Sequence, residues 1–368
     1  MPRVERTAIA VVALILASCG GTSNAPESPS PSAPSAPSAP SSTATGTWLA
    51  TSGNRIRTST GAAWMGRGAN LQDTRSCNAC AYQPPSVAEV KRRIDELADG
   101  GKASFIRLTL ESYASADGRV HWRGVLDDAA YLQDLREIVD HVGRKPNVYI
   151  MLSLWVEPSF NAMGWPTSNT IRVWEKLADA FKNDGHVIFG LVNEPEANFD
   201  GSLDGAVWSA MNDTVAAIRR VETTAGTPHR LIAVQGTRQW SRVLDYYLTH
   251  PITAGGGVNI AYETHVYDTA GFFEARFGGP ARSVPVIIGE FGPINEPGIA
   301  LMTPGDCQEL MRQADAAGVP YLGWTFHMRC PPNLLEDTSG GGCGIGSPLV
   351  PTAWGVLLRD HLRAMSGR

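Results

Sequence analysis

HVIFGLVNEP, residues His186 to Pro195, begins as an apolar run from Val187 to Val192, broken only by Gly190. It ends abruptly in Asn193, Glu194 and Pro195. An apolar run of that length reads as a strand buried on both faces. An amide and a carboxylate at its end, stopped by a proline, are costly to bury without a purpose. A second stretch answers it: VPVIIGEFG, Val284 to Gly292, is again an apolar strand ending in a carboxylate, Glu290.

Outward from these two, the same unit recurs. Apolar strands are expected at Ala63 to Asn70, Ala103 to Leu110, Val148 to Trp155, Val187 to Asn193 and Leu231 to Gln235, then at Val258 to His265, Pro285 to Glu290 and Tyr321 to Phe326. Stretches with apolar residues at helical spacing alternate with them. Ser86 and Glu89 form the pattern of a capping box before the first, and Gly100-Gly101 ends it. Eight strand–helix units imply a parallel sheet covered by helices, closed as a (β/α)8 TIM barrel. Leu49 to Trp64, with Gly53-Asn54 between short alternating runs, predicts a small β-hairpin ahead of the barrel. An open doubly wound sheet lacks support, because no glycine-rich phosphate loop follows the first strand.

In a parallel barrel the C-terminal ends of all strands share one rim, where active sites form. The polar residues expected there are Asn70, Arg107, Asn193, Glu194, His265, Tyr267, Glu290 and Trp324. Two facing carboxylates are what glycoside hydrolysis needs, one protonated to release the leaving oxygen and one ionised to attack. Arg107 or Tyr267 is placed to keep one of them charged, Asn193 to donate to a sugar 2-hydroxyl, and Trp324 to offer a flat face to a pyranose. Trp155, Trp165 and Trp240 are candidates to extend that platform. Glu111, Glu263 and His327 lie near the rim without an assigned role.

Taken together, these pieces resemble the retaining glycoside hydrolases of family five, over residues of about 48 to 366. The resemblance rests on Arg67-Gly68-Ala69-Asn70, Arg107-Leu108, Asn193-Glu194-Pro195, His265-Val266-Tyr267, Gly289-Glu290-Phe291-Gly292 and Trp324, in order and each at a strand end. It implies Glu194 as acid/base and Glu290 as nucleophile, with Asn70, Arg107, Asn193, His265, Tyr267 and Trp324 supporting the sugar next to the cleaved bond. It also implies an endo-acting enzyme on a β-linked polysaccharide, of cellulase, β-glucanase or β-mannanase type. Members often carry a histidine near the end of strand three. Here that place reads Leu154-Trp155-Val156-Glu157-Pro158, so either Trp155 or Glu157 is expected to meet the substrate. The competing reading is a surface lipoprotein that binds glycans without cutting them.

The rest of the chain bounds its setting. Its 368 residues carry a net charge of −5 with no basic run, which argues against nucleic acid as a partner. Residues 1–19 have a basic start, a short apolar segment and Leu16-Ala17-Ser18-Cys19, the pattern of a lipoprotein signal with Cys19 as the lipidated residue. Export is therefore expected, to a lipid anchor at the bacterial cell surface or periplasm, or by ordinary secretion if Cys19 is incidental, with the membrane touched only through that anchor. Residues 20–46, with three Ser-Ala-Pro repeats, form a Ser/Pro/Ala-rich linker that cannot bury a core. The catalytic barrel occupies 47–368, and a monomer is expected. Cys77, Cys80, Cys330 and Cys343 are disulfide candidates, and Cys307 a buried small hydrophobe. No cofactor or metal is expected, since neither His-x-His nor His-Glu-x-x-His occurs.

Overall fold

Side-chain parity organises the architecture. The computed structural model describes residues 47–73, 86–111, 124–155, 164–195, 198–298, 300–340 and 344–366. The expectations for residues 1–46, Cys77, Cys80, Glu157 and Cys343 lie outside these. The elements begin with the antiparallel hairpin β1 (Leu49–Ser52) and β2 (Arg55–Thr58). They continue as β3 (Arg67–Gln72), α1 (Val87–Asp95), β4 (Phe105–Leu110), α2 (Ala129–Gly143), β5 (Tyr149–Leu154), α3 (Ser168–Ala180) and β6 (Val187–Gly190). Then come α4 (Asp204–Ala225), β7 (Ile232–Gln235), α5 (Asp245–Thr249), β8 (Ile260–Val266) and β9 (Val286–Phe291). A second hairpin, β10 (Ile294–Glu296) and β11 (Ala300–Met302), precedes α6 (Pro304–Ala317), β12 (Tyr321–Gly323) and α7 (Ala353–Met365).

Eight strands close a parallel barrel in the order β12-β3-β4-β5-β6-β7-β8-β9. Successive residues of a strand face opposite sides. One set, including Ile106, Leu108, Ile150, Phe189 and Val234, packs outward against the helices. The other set, including Phe105, Met151, Ile188, Ala233 and Leu322, fills the lower interior together with Leu49, Ile56 and Trp64. The first hairpin thus closes the lower end of the barrel, where Trp64 meets Phe105 and Tyr149 edge-on at 5.1 and 5.3 Å.

Above this apolar layer the inward positions turn polar: Asn70, Arg107, Ser153, Gln235, Glu263 and His265 are all buried. Glu290 reaches the same interior through a register shift. Thr264 pairs with Ile288, yet His265 pairs with Glu290, so Gly289 is an extra residue in β9. A one-residue slip flips a side chain to the other face. The bulge at Gly289 therefore turns Glu290 inward and leaves Phe291 with the outer core.

Several local expectations change. The first barrel strand starts at Arg67 and runs to Gln72, and the fourth stops at Gly190. Ser86 caps α1 by accepting from the Glu89 amide, but the box does not close: the Glu89 carboxylate takes Arg92 and Arg93 instead. Between β8 and β9, where the alternation predicts a helix, short 3-10 and π turns run over residues 270–282. Hairpin β10–β11 was not anticipated.

Candidate active site

Arg107 is the hub of the upper interior. It points inward from β4 with no exposed surface, so its five N–H donors need acceptors inside the barrel. Nη1 donates to Asn70 Oδ1 at 2.9 Å and to Glu290 Oε1 at 2.7 Å, and Nη2 donates to Asn193 Oδ1 at 2.6 Å. Its Nε lies 3.2 Å from Glu263 Oε1. Asn70 is itself fixed, with Nδ2 donating to Gly289 O at 2.9 Å, across the bulge.

The two rim carboxylates have unlike surroundings. Glu290 accepts on both oxygens, Oε1 from Arg107 and Oε2 from the Tyr267 hydroxyl at 2.9 Å. Its side chain is 5% exposed, whereas that of Glu194 is 22% exposed. Glu194 follows the end of β6 in a left-handed backbone conformation, φ +51°, which few non-glycine residues adopt. Its amide donates to Gln235 Oε1 at 3.3 Å, and its Oε1 lies 2.8 Å from His265 Nδ1. Glu194, His265 and Glu290 each bring a donor atom within 4.8 Å of the others.

The electrostatics follow from burial and neighbours. Burial pushes the Glu290 carboxyl up, and Glu194 adds to it, against the pull of His265 and Arg107. Both Glu290 oxygens already accept, so a proton on either would displace a donor. Burial opposes charge on His265, but Glu290, Glu194 and Glu263 outweigh it and raise the imidazole to about 9. Burial works against the charge of Glu263 too, yet Arg107 and His265 hold its carboxyl below the usual range. Burial and the facing carboxylates hold Tyr267 as a neutral phenol.

The structure brings the expected residues together and sorts them. Asn70, Arg107 and His265 have no exposed surface and support their neighbours from within. Asn193, Tyr267 and Trp324 line the opening. Trp324 packs with Tyr267 and Ala300, and Trp155 and Ile294 flank them. The rings of Trp155 and Trp324 are 6.3 Å apart at 51°, two walls of one corner. Trp240 stands apart with the half-exposed Phe199, edge-on at 4.8 Å. Trp165 is partly buried and packs on the barrel–helix core. Cys307 is a buried free thiol and Cys330 is disulfide-bonded. Two residues exceed what the sequence suggested. Glu263 lies at the centre of the site, and Gln235, whose one signal in the sequence is to be the polar end of an apolar strand, meets both Glu194 and His265. Glu111 instead accepts from the Val125 amide at 2.6 Å, and His327 from the Arg329 amide at 2.9 Å.

Comparison with known proteins agrees with this geometry. A family model described as Cellulase (glycosyl hydrolase family 5) matches residues 66–329. Endoglucanase Z of Dickeya dadantii (strain 3937) is 28% identical over 188 residues, 48% of this chain and 39% of that protein. The match thus spans about two fifths of that relative's length. Among solved structures, the catalytic domain of Thermobifida fusca endoglucanase Cel5A superposes with a TM-score of 0.64 at 17% identity, over 86% of this chain and 97% of that one. The β-glucanase SdGluc5_26A of Saccharophagus degradans gives 0.64 at 19%, over 86% and 93%. The catalytic domain of a Streptomyces sp. SirexAA-E mannanase gives 0.61 at 17%, over 87% and 91%. At such identities these structures share the fold.

Proposed function

The chain belongs to glycosyl hydrolase family 5, and from that premise we propose that it cleaves a β-linked polysaccharide internally, with retention, using Glu290 as nucleophile and Glu194 as acid/base. The observation that carries the reading is the carboxylate pair. The short gap between the two suits direct attack, because inverting enzymes leave room for a water, with carboxyls about 6.5–9.5 Å apart. The unlike surroundings divide the labour. Glu290 attacks the anomeric carbon as Glu194 protonates the glycosidic oxygen, and the aglycone leaves. A glycosyl ester forms on Glu290. Water then attacks the anomeric carbon, gives a proton to the Glu194 carboxylate, and frees Glu290.

Neighbours tune each step. Arg107 holds Asn193 by its carbonyl oxygen, which leaves the amide N–H pair to donate to the sugar 2-hydroxyl. Trp324 and Trp155 form the apolar corner against which a pyranose stacks. A β-glucan is the substrate class best supported: the matched curated relative is an endoglucanase, and two of the similar structures hold cellotetraose. Export, lipidation at Cys19 and a monomeric barrel on the 20–46 linker complete the proposal, as a surface enzyme acting on a polymer outside the cell.

A panel of β-glucans and β-mannans tests it. The wild type is expected to release reducing ends, with the first-formed anomer retained by early-time proton NMR, and Glu290→Ala to be inactive. An inverted product would remove Glu290 as nucleophile. Binding of glycans without hydrolysis of any would favour the glycan-binding lipoprotein.

A further inference from the structure

Among the described residues, Glu263 is a carboxylate with no access to substrate, placed where a barrel would ordinarily carry an apolar side chain. It points inward from β8 with no exposed surface. Its Oε1 lies 3.2 Å from Arg107 Nε and 3.2 Å from His265 Nε2. The barrel makes room for it: a Cβ on Gly289 would stand 1.9 Å from that oxygen. Burying an ion at this cost calls for a task.

The task is legible at His265. Its Nδ1 faces Glu194 Oε1 at 2.8 Å and, more distantly, Glu290 Oε2 at 3.5 Å, and its Nε2 faces Glu263. A neutral imidazole has one N–H and one lone pair. With Glu194 ionised it would therefore set a lone pair against a carboxylate on one side or the other; a protonated Glu194 could donate to a bare Nδ1 instead, but that leaves the Glu263 and Glu290 anions to the single cation of Arg107. Gln235 Nε2, 3.3 Å from His265 Nε2, offers the competing arrangement, in which the ring accepts from the amide. That arrangement leaves the lone pair of Nε2 against the buried Glu263 anion, and the Gln235 amide already has Glu263 as an acceptor. Charge points the same way. With Glu194 protonated and ready to act, Glu263 and Glu290 are two anions, and Arg107 with an imidazolium makes two cations.

We propose, resting on the hydrolase reading above, that Glu263 is a positioning residue that holds His265 as an imidazolium. The imidazolium donates its Nδ1–H to Glu194 Oε1. Glu194 then carries its catalytic proton on Oε2 and finds a cation beside it once that proton has gone to the leaving group. Glu263 itself touches no substrate and transfers no proton.

The isosteric variant Glu263→Gln removes the charge and keeps the shape. His265 then loses its counter-ion and becomes neutral, its Nδ1–H still on Glu194. Without a cation beside it, Glu194 keeps its proton to higher pH. The alkaline limb of kcat/KM moves up, and kcat falls about tenfold, less than the ~10²-fold or more that losing acid–base catalysis costs, with KM little changed.

The direct readout is 15N NMR of histidine-labelled protein at pH 7, with His265→Asn used to assign the signal. Two protonated ring nitrogens are expected in the wild type, and one in folded Glu263→Gln. A wild-type ring with a single N–H overturns the proposal, as does a folded Glu263→Gln that keeps both. Should that variant fail to fold, Glu263→Asp, which retains the charge one methylene further away, is expected to titrate at lower pH than wild type, and an unchanged titration overturns the proposal. A doubly protonated ring in a protein that hydrolyses no glycan would instead sink the hydrolase reading alone.

Discussion

Asn193 shows how one side chain is given a single use. Its Oδ1 is taken by Arg107 at 2.6 Å, so the amide cannot flip and must present its N–H pair to the opening. Next to it, Glu194 pays for its direction with a left-handed backbone, a cost of about 1–3 kcal/mol that persists where surroundings over-determine it. The amide bond to Gln235 and the contact with His265 do so here. If Asn193 works through the 2-hydroxyl, the contact strengthens in the transition state and is worth roughly several kcal/mol. Asn193→Ala should then cut kcat/KM about 10²–10³-fold, with kcat carrying most of the loss. A 2-deoxy substrate checks the assignment, since it should be nearly indifferent to the substitution. An equal loss on both substrates would mean that Asn193 acts only by holding Arg107.

At the scale of the element, β9 carries the decisive irregularity. Were Gly289 paired regularly with His265, Glu290 would fall opposite Val266, face the helices, and no carboxylate pair would form. Gly289→Ala tests both functions of that glycine. The new methyl meets the Glu263 carboxylate, which Arg107 and His265 hold in place, so it cannot yield cheaply. Urea unfolding should show a loss of roughly 1–3 kcal/mol from overpacking, together with a fall in activity. Full stability in the variant would show that the bulge absorbs the methyl. The eight strands were legible in the sequence because each is a buried apolar run between helical stretches. The strand ends were legible because polar residues interrupt those runs. The bulge was not, because register is set by pairing with β8 and β12 rather than by the pattern of β9 itself. Glu263 shared that fate: a carboxylate inside a strand has no meaning until its inward neighbours are known. Hairpin β10–β11 escaped notice because three-residue strands carry too little periodicity, although Pro297-Gly298 marks its turn.

At the scale of the whole molecule, the barrel is closed below by its own chain and open above. Hairpin β1–β2 and Trp64 seal the lower interior, and the Tyr149 hydroxyl donates to Thr47 O at 2.8 Å. The described part of the barrel begins at residue 47. Anchor and chemistry should then be separable. A protein beginning at Thr47 is expected to keep its Tm and its kcat/KM on soluble cello-oligosaccharides, because plug, hub and carboxylate pair are all retained. Full-length protein should partition with membranes and incorporate a labelled fatty acid, and Cys19→Ala should abolish both while leaving kcat/KM unchanged. On insoluble polymer at the cell surface the anchored form should act faster than the free one at equal amounts, since the anchor raises the local concentration of sites. Loss of activity in the Thr47 form would mean that the preceding residues help build the barrel. Membrane partitioning that survives Cys19→Ala would place the anchor elsewhere.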